Sequence, residues 1–145
     1  MRGCHVALFI VALCQGAALA ASDPVEQLSG ADRAEIKAVI RAQIEAFRRD
    51  DAVEAFSLAS PGIQATFETP EKFLDMVRND YQPVYRPVSV TFLELLVVEG
   101  VVVQSVQLSD SAGAVWLALY PMQRQKNGRW RTHGCQLSKI RSVST

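Results

Sequence analysis

A histidine and a cysteine lie two positions apart near the end of the chain, in the stretch GRWRTHGCQL from 128 to 137. An imidazole beside a thiol can activate a cysteine nucleophile, and both side chains bind zinc. A nucleophile also needs a group that orients its base, and no carboxylate is adjacent to His133 or Cys135 in the sequence. We therefore favour the alternative that both residues share one strand, where Cys135 packs as a small apolar side chain.

The first twenty residues have the features of a secretory signal. Arg2 precedes an apolar run from Val6 to Cys14, and small residues that include the sequence Ala-Leu-Ala at 18–20 follow it. We predict a signal peptide over residues 1–20, cleavage after Ala20, and a periplasmic or secreted protein. The apolar run is shorter than the roughly 18 residues that a membrane span requires, so we predict no membrane association after cleavage.

Cleavage would leave His133 and Cys135 as the only histidine and the only cysteine. Zinc takes three or four protein ligands, so we predict no metal, no cofactor and no intrachain disulfide. The remaining 14 basic and 15 acidic side chains are interspersed, which argues against nucleic acid as a partner. About 125 residues suffice for one domain, which we place at 31–140 between a short lead (21–30) and a tail (141–145).

Helical patterns occupy the first half of this domain. Apolar residues recur at three- and four-residue spacing between Ser29 and Asp51 and predict a long helix. A second, shorter helix is predicted from Asp51 to Ala59, and we expect Ser60-Pro61-Gly62 to end it. The sequence Thr69-Pro70-Glu71 is typical of a helix start and predicts a third helix that ends near Asp80.

Extended patterns occupy the second half of the chain. The segment YQPVYRP from 81 to 87 contains two prolines and predicts a rigid connector in which Gln82 and Arg86 are extended. Four runs rich in Val, Leu and aromatic residues follow, at about 88–98, 101–109, 114–125 and 129–140, with turn signals between them. Because the connections are short, we predict a four-stranded antiparallel meander packed against the three helices, which is an α+β fold.

The predicted strands are apolar on both faces. In AVWLALYPM, for example, Trp116 and Tyr120 point one way while Leu117 and Leu119 point the other. An antiparallel sheet with one face in water would alternate more cleanly between apolar and polar residues. We therefore predict that the sheet curls around a pocket or that its far face contacts another subunit in a homodimer.

Several separated motifs resemble those of the family known as domain of unknown function 4864. They are QIEAFRRDD with Gln43, Phe47 and Asp51, the run ASPGIQATF, the run FLDMVRNDYQPVYRP, and GRWRTHGC. The resemblance implies a small cone-shaped α+β fold similar to nuclear transport factor 2-like and cystatin-like domains, and it carries no established activity or catalytic residue. The chain departs from the family pattern at Thr132, where an aliphatic residue is expected, and at His133, where a small polar residue is expected.

Six residues are candidates for a pocket or its rim: Gln64, Tyr81, Tyr85, Arg86, Arg131 and Cys135. The two phenols and the guanidinium of the connector could bind an anionic or aromatic ligand. The structural alternative, which we favour, is that the tyrosine rings cover the core and that Arg86 pairs with a carboxylate such as Asp80. For Gln64, the helix stop expected at 60–62 explains the motif without a ligand.

These observations predict a non-catalytic exported domain that binds a small molecule or a protein partner through the cone. Acids and bases are scarce on the strands, and Glu94 is the one carboxylate placed to act. A second hypothesis is a small isomerase, dehydratase or hydrolase that uses Glu94, Tyr81 or Tyr85, or His133. A third is a purely structural homodimer.

Overall fold

Helices precede strands throughout the part of the chain that the computed structural model describes, residues 27–141. Within it the helices are α1 (Gly30–Arg48), α2 (Ala52–Ser57), α3 (Pro61–Phe67), α4 (Pro70–Asp80) and α5 (Gln82–Tyr85). The strands are β1 (Ser89–Val98), β2 (Val101–Ser109), β3 (Val115–Arg124), β4 (Trp130–Thr132) and β5 (Gln136–Ile140). This order confirms the α+β prediction. The predicted signal and its cleavage site lie outside the described residues.

Capping side chains define the helix starts that the sequence predicted. Ser29 and Asp32 form a reciprocal capping box at α1, and the Thr69 hydroxyl accepts a hydrogen bond from Lys72 N at the start of α4. α1 ends at Arg48, before the predicted Asp51, because Asp50 has a left-handed backbone conformation (φ 53°) that breaks the helical repeat. Asp51 then caps α2.

The prediction of three helices is wrong, because two short helices occupy segments that were expected to be irregular. Ser60-Pro61-Gly62 starts α3: the Ser60 hydroxyl accepts from Ile63 N at 3.3 Å, and Pro61 occupies the first turn, where no amide donor is needed. The connector contains the single turn α5, in which Gln82 is helical and Arg86 N donates to Gln82 O at 2.9 Å. Proline therefore begins a helix in both places.

The sheet has the predicted meander order, β1-β2-β3-β4, with every pair antiparallel. The predicted last strand is divided in two, and both β4 and β5 pair with β3. Thr132 pairs with Met122 and Gln136 pairs with Leu119, so three steps along β3 face four steps along the last strand. One extra residue is therefore inserted between β4 and β5, next to Gly134 (φ 116°).

This insertion corrects the predicted orientation of Cys135. An unbroken strand would place Cys135 on the same face as His133 and opposite Thr132. The extra residue shifts the alternation by one, so that Cys135 and Leu137 pack against the same core as Trp130. His133 is left exposed.

A second insertion lies in β1 at the same level of the sheet. Phe92 pairs with Val106 whereas Leu95 pairs with Gln104, which leaves one extra residue in β1. The buried Gln104 side chain donates to Leu93 O at 3.0 Å and so satisfies a carbonyl that the ladder leaves unpaired. Bulged strands bend, so two insertions at one level indicate curvature of the sheet.

The helices cover one face of this sheet. The core joins the apolar stripe of α1, including Ile36, Ile40 and Phe47, to alternate residues of β2 and β3. α1 is also tied to the sheet by polar contacts, because Asp32 accepts from Trp130 Nε1 at 3.1 Å and pairs with Arg124 at 3.1 Å. Between residues 27 and 141, no helix combines the length and the apolar character needed to cross a bilayer.

Candidate functional site

A cavity of about 220 Å³ lies between the helix layer and the sheet, at the level where β4 gives way to β5. Residues of α1, α3, α4 and α5 line one side of it. The other side is lined by Tyr120 on β3 and by Thr132, Gly134 and Cys135. The interruption of the last strand therefore decides which side chains line the cavity, because a continuous strand would turn Cys135 away from it.

A cluster of aromatic rings forms part of the helix-side wall. The ring of Phe73 on α4 lies 5.6 to 5.9 Å from the rings of Phe47, Phe56 and Phe67, all in tilted geometry. Such pairs favour association beyond simple burial. Phe67 belongs to α3, so the helix that the sequence analysis missed supplies part of the wall.

Tyr120 is the fully buried polar side chain of the lining that lacks a well-formed hydrogen bond. Its residue is 2% exposed, and its hydroxyl is the only buried side-chain polar atom of the described residues without a hydrogen-bond partner. Burial raises the pKa of Tyr120 well above its usual value, so the hydroxyl stays protonated and keeps a proton to donate. An unpartnered buried donor costs stability, and therefore needs an explanation.

Cys135 lies beside Tyr120 and is also neutral. Burial raises the pKa of the Cys135 thiol to about 12, although the neighbouring Tyr120 hydroxyl lowers it in part. At neutral pH the sulfur is therefore a thiol, which is a weak hydrogen-bonding group and a poor nucleophile. This state does not suit the activated nucleophile considered for the His133/Cys135 pair.

Besides Tyr81, two further polar residues of the lining form hydrogen bonds within the fold. Gln43 is buried, and its Nε2 donates to Ala55 O at 3.0 Å, which ties α1 to α2. Thr132 donates through Oγ1 to Leu58 O at 3.3 Å. Their hydrogen bonds explain why a polar residue is retained at each position, whereas nothing within the fold explains the Tyr120 hydroxyl.

Two of the six predicted residues line the cavity and four do not. Tyr81 and Cys135 are among its lining residues. Gln64 is directed elsewhere, because its Nε2 donates to Phe56 O and Ala59 O and so completes the end of α2. Arg131 pairs with Gln123 between β4 and β3, on the strand face opposite Thr132.

Tyr85 and Arg86 form a polar cluster with Asp50 at the end of α1, away from the cavity. The Tyr85 hydroxyl donates to Asp50 and accepts from Arg86 at 3.1 Å and from Arg78 at 3.4 Å. The Arg86 guanidinium also donates to Arg48 O, an end carbonyl of α1. The predicted partner Asp80 is therefore replaced by Asp50, which its left-handed backbone brings toward α5.

Glu94 and His133, the acid and the base of the enzyme hypothesis, are both exposed and outside the cavity lining. Glu94 lies at the β1 insertion. His133 Nδ1 is 2.6 Å from Ser60 Oγ, a spacing that resembles a serine–histidine dyad. Ser60 is completely buried and its hydroxyl caps α3, so this oxygen has no access to a substrate.

Tyr120 was overlooked in the sequence because nothing in its neighbours identifies it as unpaired. It was recognised only as one of several apolar-face residues in AVWLALYPM. A tyrosine on the apolar face of a central strand is a usable signal, since its hydroxyl must find a partner on the buried face. No group of three or more metal-binding side chains occurs in the described range.

Comparisons with known proteins give one match. The family model with the description "Domain of unknown function (DUF4864)" matches residues 29–145, which is most of the chain. No curated protein and no solved structure matches the chain. The family match agrees with the resemblance noted in the motifs around Gln43, Tyr81 and Trp130, and the chain belongs to this family of domains of unknown function.

Proposed function

We propose that this protein is an exported, non-catalytic binding domain that holds a small uncharged molecule in the cavity beside Tyr120. The observation that carries the proposal is the buried Tyr120 hydroxyl, which has no oxygen or nitrogen partner and lies in the wall of a mostly apolar cavity. Ligand sites combine apolar walls with a few polar groups that fix orientation. A ligand that accepts a hydrogen bond would complete this group.

The size of the cavity supports a ligand built around a single ring. Its volume of about 220 Å³ exceeds the roughly 150 Å³ of a cavity that binds benzene. It is smaller than the roughly 300 to 1,000 Å³ typical of sites for drug-sized molecules. The aromatic wall around Phe73 offers faces and edges against which a flat ring can pack.

The chemistry of the lining supports an uncharged ligand and binding without turnover. No residue in the lining carries an ionised side chain at neutral pH, because the raised pKa values keep Tyr120 and Cys135 protonated. A charged ligand would lose its hydration here without gaining a counter-ion. A carbonyl or ether oxygen fits, since it accepts one hydrogen bond from Tyr120 and carries no charge.

We extend the proposal to the shape and location of the domain. A cone similar to nuclear transport factor 2-like and cystatin-like domains is supported by the two insertions that bend the sheet and by a cavity on its helix-covered side. Export to the periplasm or medium is supported by the charge, apolar run and small residues of positions 1–20.

A matched pair of probes tests the Tyr120 contact directly. Acetophenone and α-methylstyrene have nearly the same shape, but only acetophenone has an oxygen that accepts a hydrogen bond. We expect calorimetry to show that both bind, and that Tyr120→Phe reduces the preference for acetophenone by roughly 2- to 10-fold, the value of one hydrogen bond. Tyr85→Phe is the matched control, because its hydroxyl lies outside the cavity, and it should leave the preference unchanged.

Native mass spectrometry of the protein exported by its own host tests whether a natural ligand is retained. We expect a small additional mass that is lost on denaturation and is absent from Val77→Phe, in which a larger side chain fills part of the cavity. Absence of any retained mass, together with failure of both probes to bind, would contradict the proposal.

A further inference from the structure

The face of the sheet that the helices leave uncovered combines exposed apolar side chains with uncharged polar ones and is nearly free of charge. Its exposed members are between 38% and 53% accessible: Leu93, Leu96, Val98, Val101 and Ile140. Toward the centre, Leu117 and Leu119 of β3 lie beside Ser105 and Gln107 of β2. Several exposed apolar side chains on one face of a sheet are typical of an interface.

Charge is distributed very unevenly between the two sides of the molecule. Among the outward-facing residues of β1 to β5, only Glu94 and Arg131 are charged. The exposed sides of α1 and α4 carry many charges, including Lys37, Glu45 and Lys72. The sheet face therefore has the composition of an interface centre, in which charged residues are depleted.

We infer that this face packs against the same face of a second copy of the chain. A twofold contact requires a surface to complement itself, and an apolar, uncharged centre meets this condition without placing like charges together. The two charges lie on opposite edge strands, Glu94 on β1 and Arg131 on β4. A twofold axis along the strands brings the β1 edge of each copy over the β4 and β5 edge of the other. By the strand register, Glu94 then lies near Gln136 and Arg131 near Val98, so no two charges of the same sign meet.

The size of the face agrees with a reversible dimer. Four strand positions at about 4.8 Å and strands of nine to ten residues at about 3.3 Å per residue give a footprint of roughly 600 Å² per copy. Two copies would bury roughly 1,200 Å², the lower end of the range for specific interfaces and below that of most obligate dimers. We therefore expect dissociation on dilution.

Dimer formation and ligand binding use opposite faces of the sheet. Tyr120, in the cavity wall, is on the helix-covered face, whereas its neighbours Leu119 and Pro121 point outward. The inference is therefore independent of the proposed function, and either can fail alone.

Sedimentation velocity of the protein expressed from its full chain tests the inference. Over a roughly hundredfold range of concentration we expect the mass to rise from that of one chain toward twice that value. Leu96→Glu puts a charge on the face at a position already 38% exposed, so folding should be retained. We expect it to raise the dissociation constant by at least roughly tenfold, because two carboxylates would be desolvated in each dimer.

Val53→Glu is the matched control, because Val53 is 67% exposed but lies on α2, in the helix layer. It introduces the same charge and should dimerise as the unmodified chain does. Circular dichroism and cooperative urea unfolding establish that each variant is folded. A chain that is monomeric at every concentration would overturn the inference. A Leu96→Glu variant that dimerises as tightly as Val53→Glu would overturn it as well.

Discussion

Tyr85 and Tyr120 bury their rings to a similar degree, but their hydroxyl groups are treated in opposite ways. The Tyr85 hydroxyl contacts Asp50, Arg78 and Arg86, and both guanidinium groups also lie over its ring. The Tyr120 hydroxyl has no oxygen or nitrogen partner in the described chain, and the Cys135 thiol beside it is only a weak hydrogen-bonding group. One phenol is surrounded by partners, and the other lies in a cavity wall.

The difference separates a group that serves folding from one that folding does not explain. The Tyr85 cluster joins α4 and α5 to the end of α1, so its hydrogen bonds have a structural purpose. The Tyr120 hydroxyl lowers stability wherever it remains unpaired, and a phenylalanine would fill the same space. Of the two tyrosines, Tyr120 is therefore the one whose polar atom indicates a ligand.

The comparison depends first on whether the cavity is enclosed by a well-packed wall. Phe73 is 6% exposed and contacts three other rings. We expect Phe73→Ala to lower the free energy of unfolding by about 3 to 5 kcal/mol, the usual cost of removing a packed ring, as measured by urea denaturation. The exposed Val53→Ala should change it little. A cost near 1 kcal/mol for Phe73→Ala would indicate a loosely packed region and would remove the significance of the cavity.

The satisfied side of the comparison is tested by Tyr85→Phe. This change removes the hydroxyl that joins Asp50 to the two guanidinium groups while keeping the ring beneath them. We expect a loss in unfolding free energy well below that of Phe73→Ala, since a hydrogen bond to a charged but solvent-exposed group is lost. Acetophenone binding should be unaffected. Loss of binding would show that the cluster and the cavity are not separate.

Tyr120→Phe tests the tyrosine whose hydroxyl is unpaired, and we expect it to change the unfolding free energy in the opposite direction from Tyr85→Phe. Removing a buried hydroxyl without a partner should raise the unfolding free energy of the ligand-free protein by about 1 kcal/mol. The same variant should bind acetophenone less tightly, so stability and affinity change in opposite directions. A variant less stable than the unmodified chain would show that the hydroxyl has a structural partner.

Much of the fold could be predicted from local signals. A few adjacent residues are enough to indicate the start of α1 at Ser29, the start of α4 at Thr69 and the three hairpin turns. The structure has all of them. The start of α3 was also present locally, as a Ser-Pro pair, but it was interpreted as a stop because the proline followed a helix. A proline cannot continue the helix before it, but it is well suited to the first turn of a new helix.

The site could be predicted much less well, for a geometric reason. Side chains alternate along a strand, so one inserted residue near Gly134 reverses the orientation of everything that follows, including Cys135. The insertion leaves only a glycine as its signal. Whether the Tyr120 hydroxyl has a partner depends on how several helices pack over it, and the spacing of residues along the sequence does not predict that packing.

The smallest effect that we expect is a difference in acid sensitivity between the two tyrosine variants. Hydrogen bonding from Tyr85, followed by the charges of Arg86 and Arg78, lowers the pKa of Asp50 below 3.8. A carboxyl whose pKa is lowered by folding stabilises the fold above its unfolded pKa, and this contribution is lost as the pH falls through the folded value. Stability should therefore decline below about pH 4.

Tyr85→Phe removes the largest cause of the lowered pKa of Asp50, so we expect a shallower decline between about pH 4 and pH 2 in that variant. Tyr120→Phe should retain the full slope, because no carboxylate lines the cavity. Urea midpoints measured across this range provide the test. The change is small because the cluster is exposed and solvent screens its charges. Parallel slopes in the two variants would show that Asp50 gains nothing from Tyr85, and the contrast between a satisfied and an unsatisfied phenol would then rest on stability at neutral pH alone.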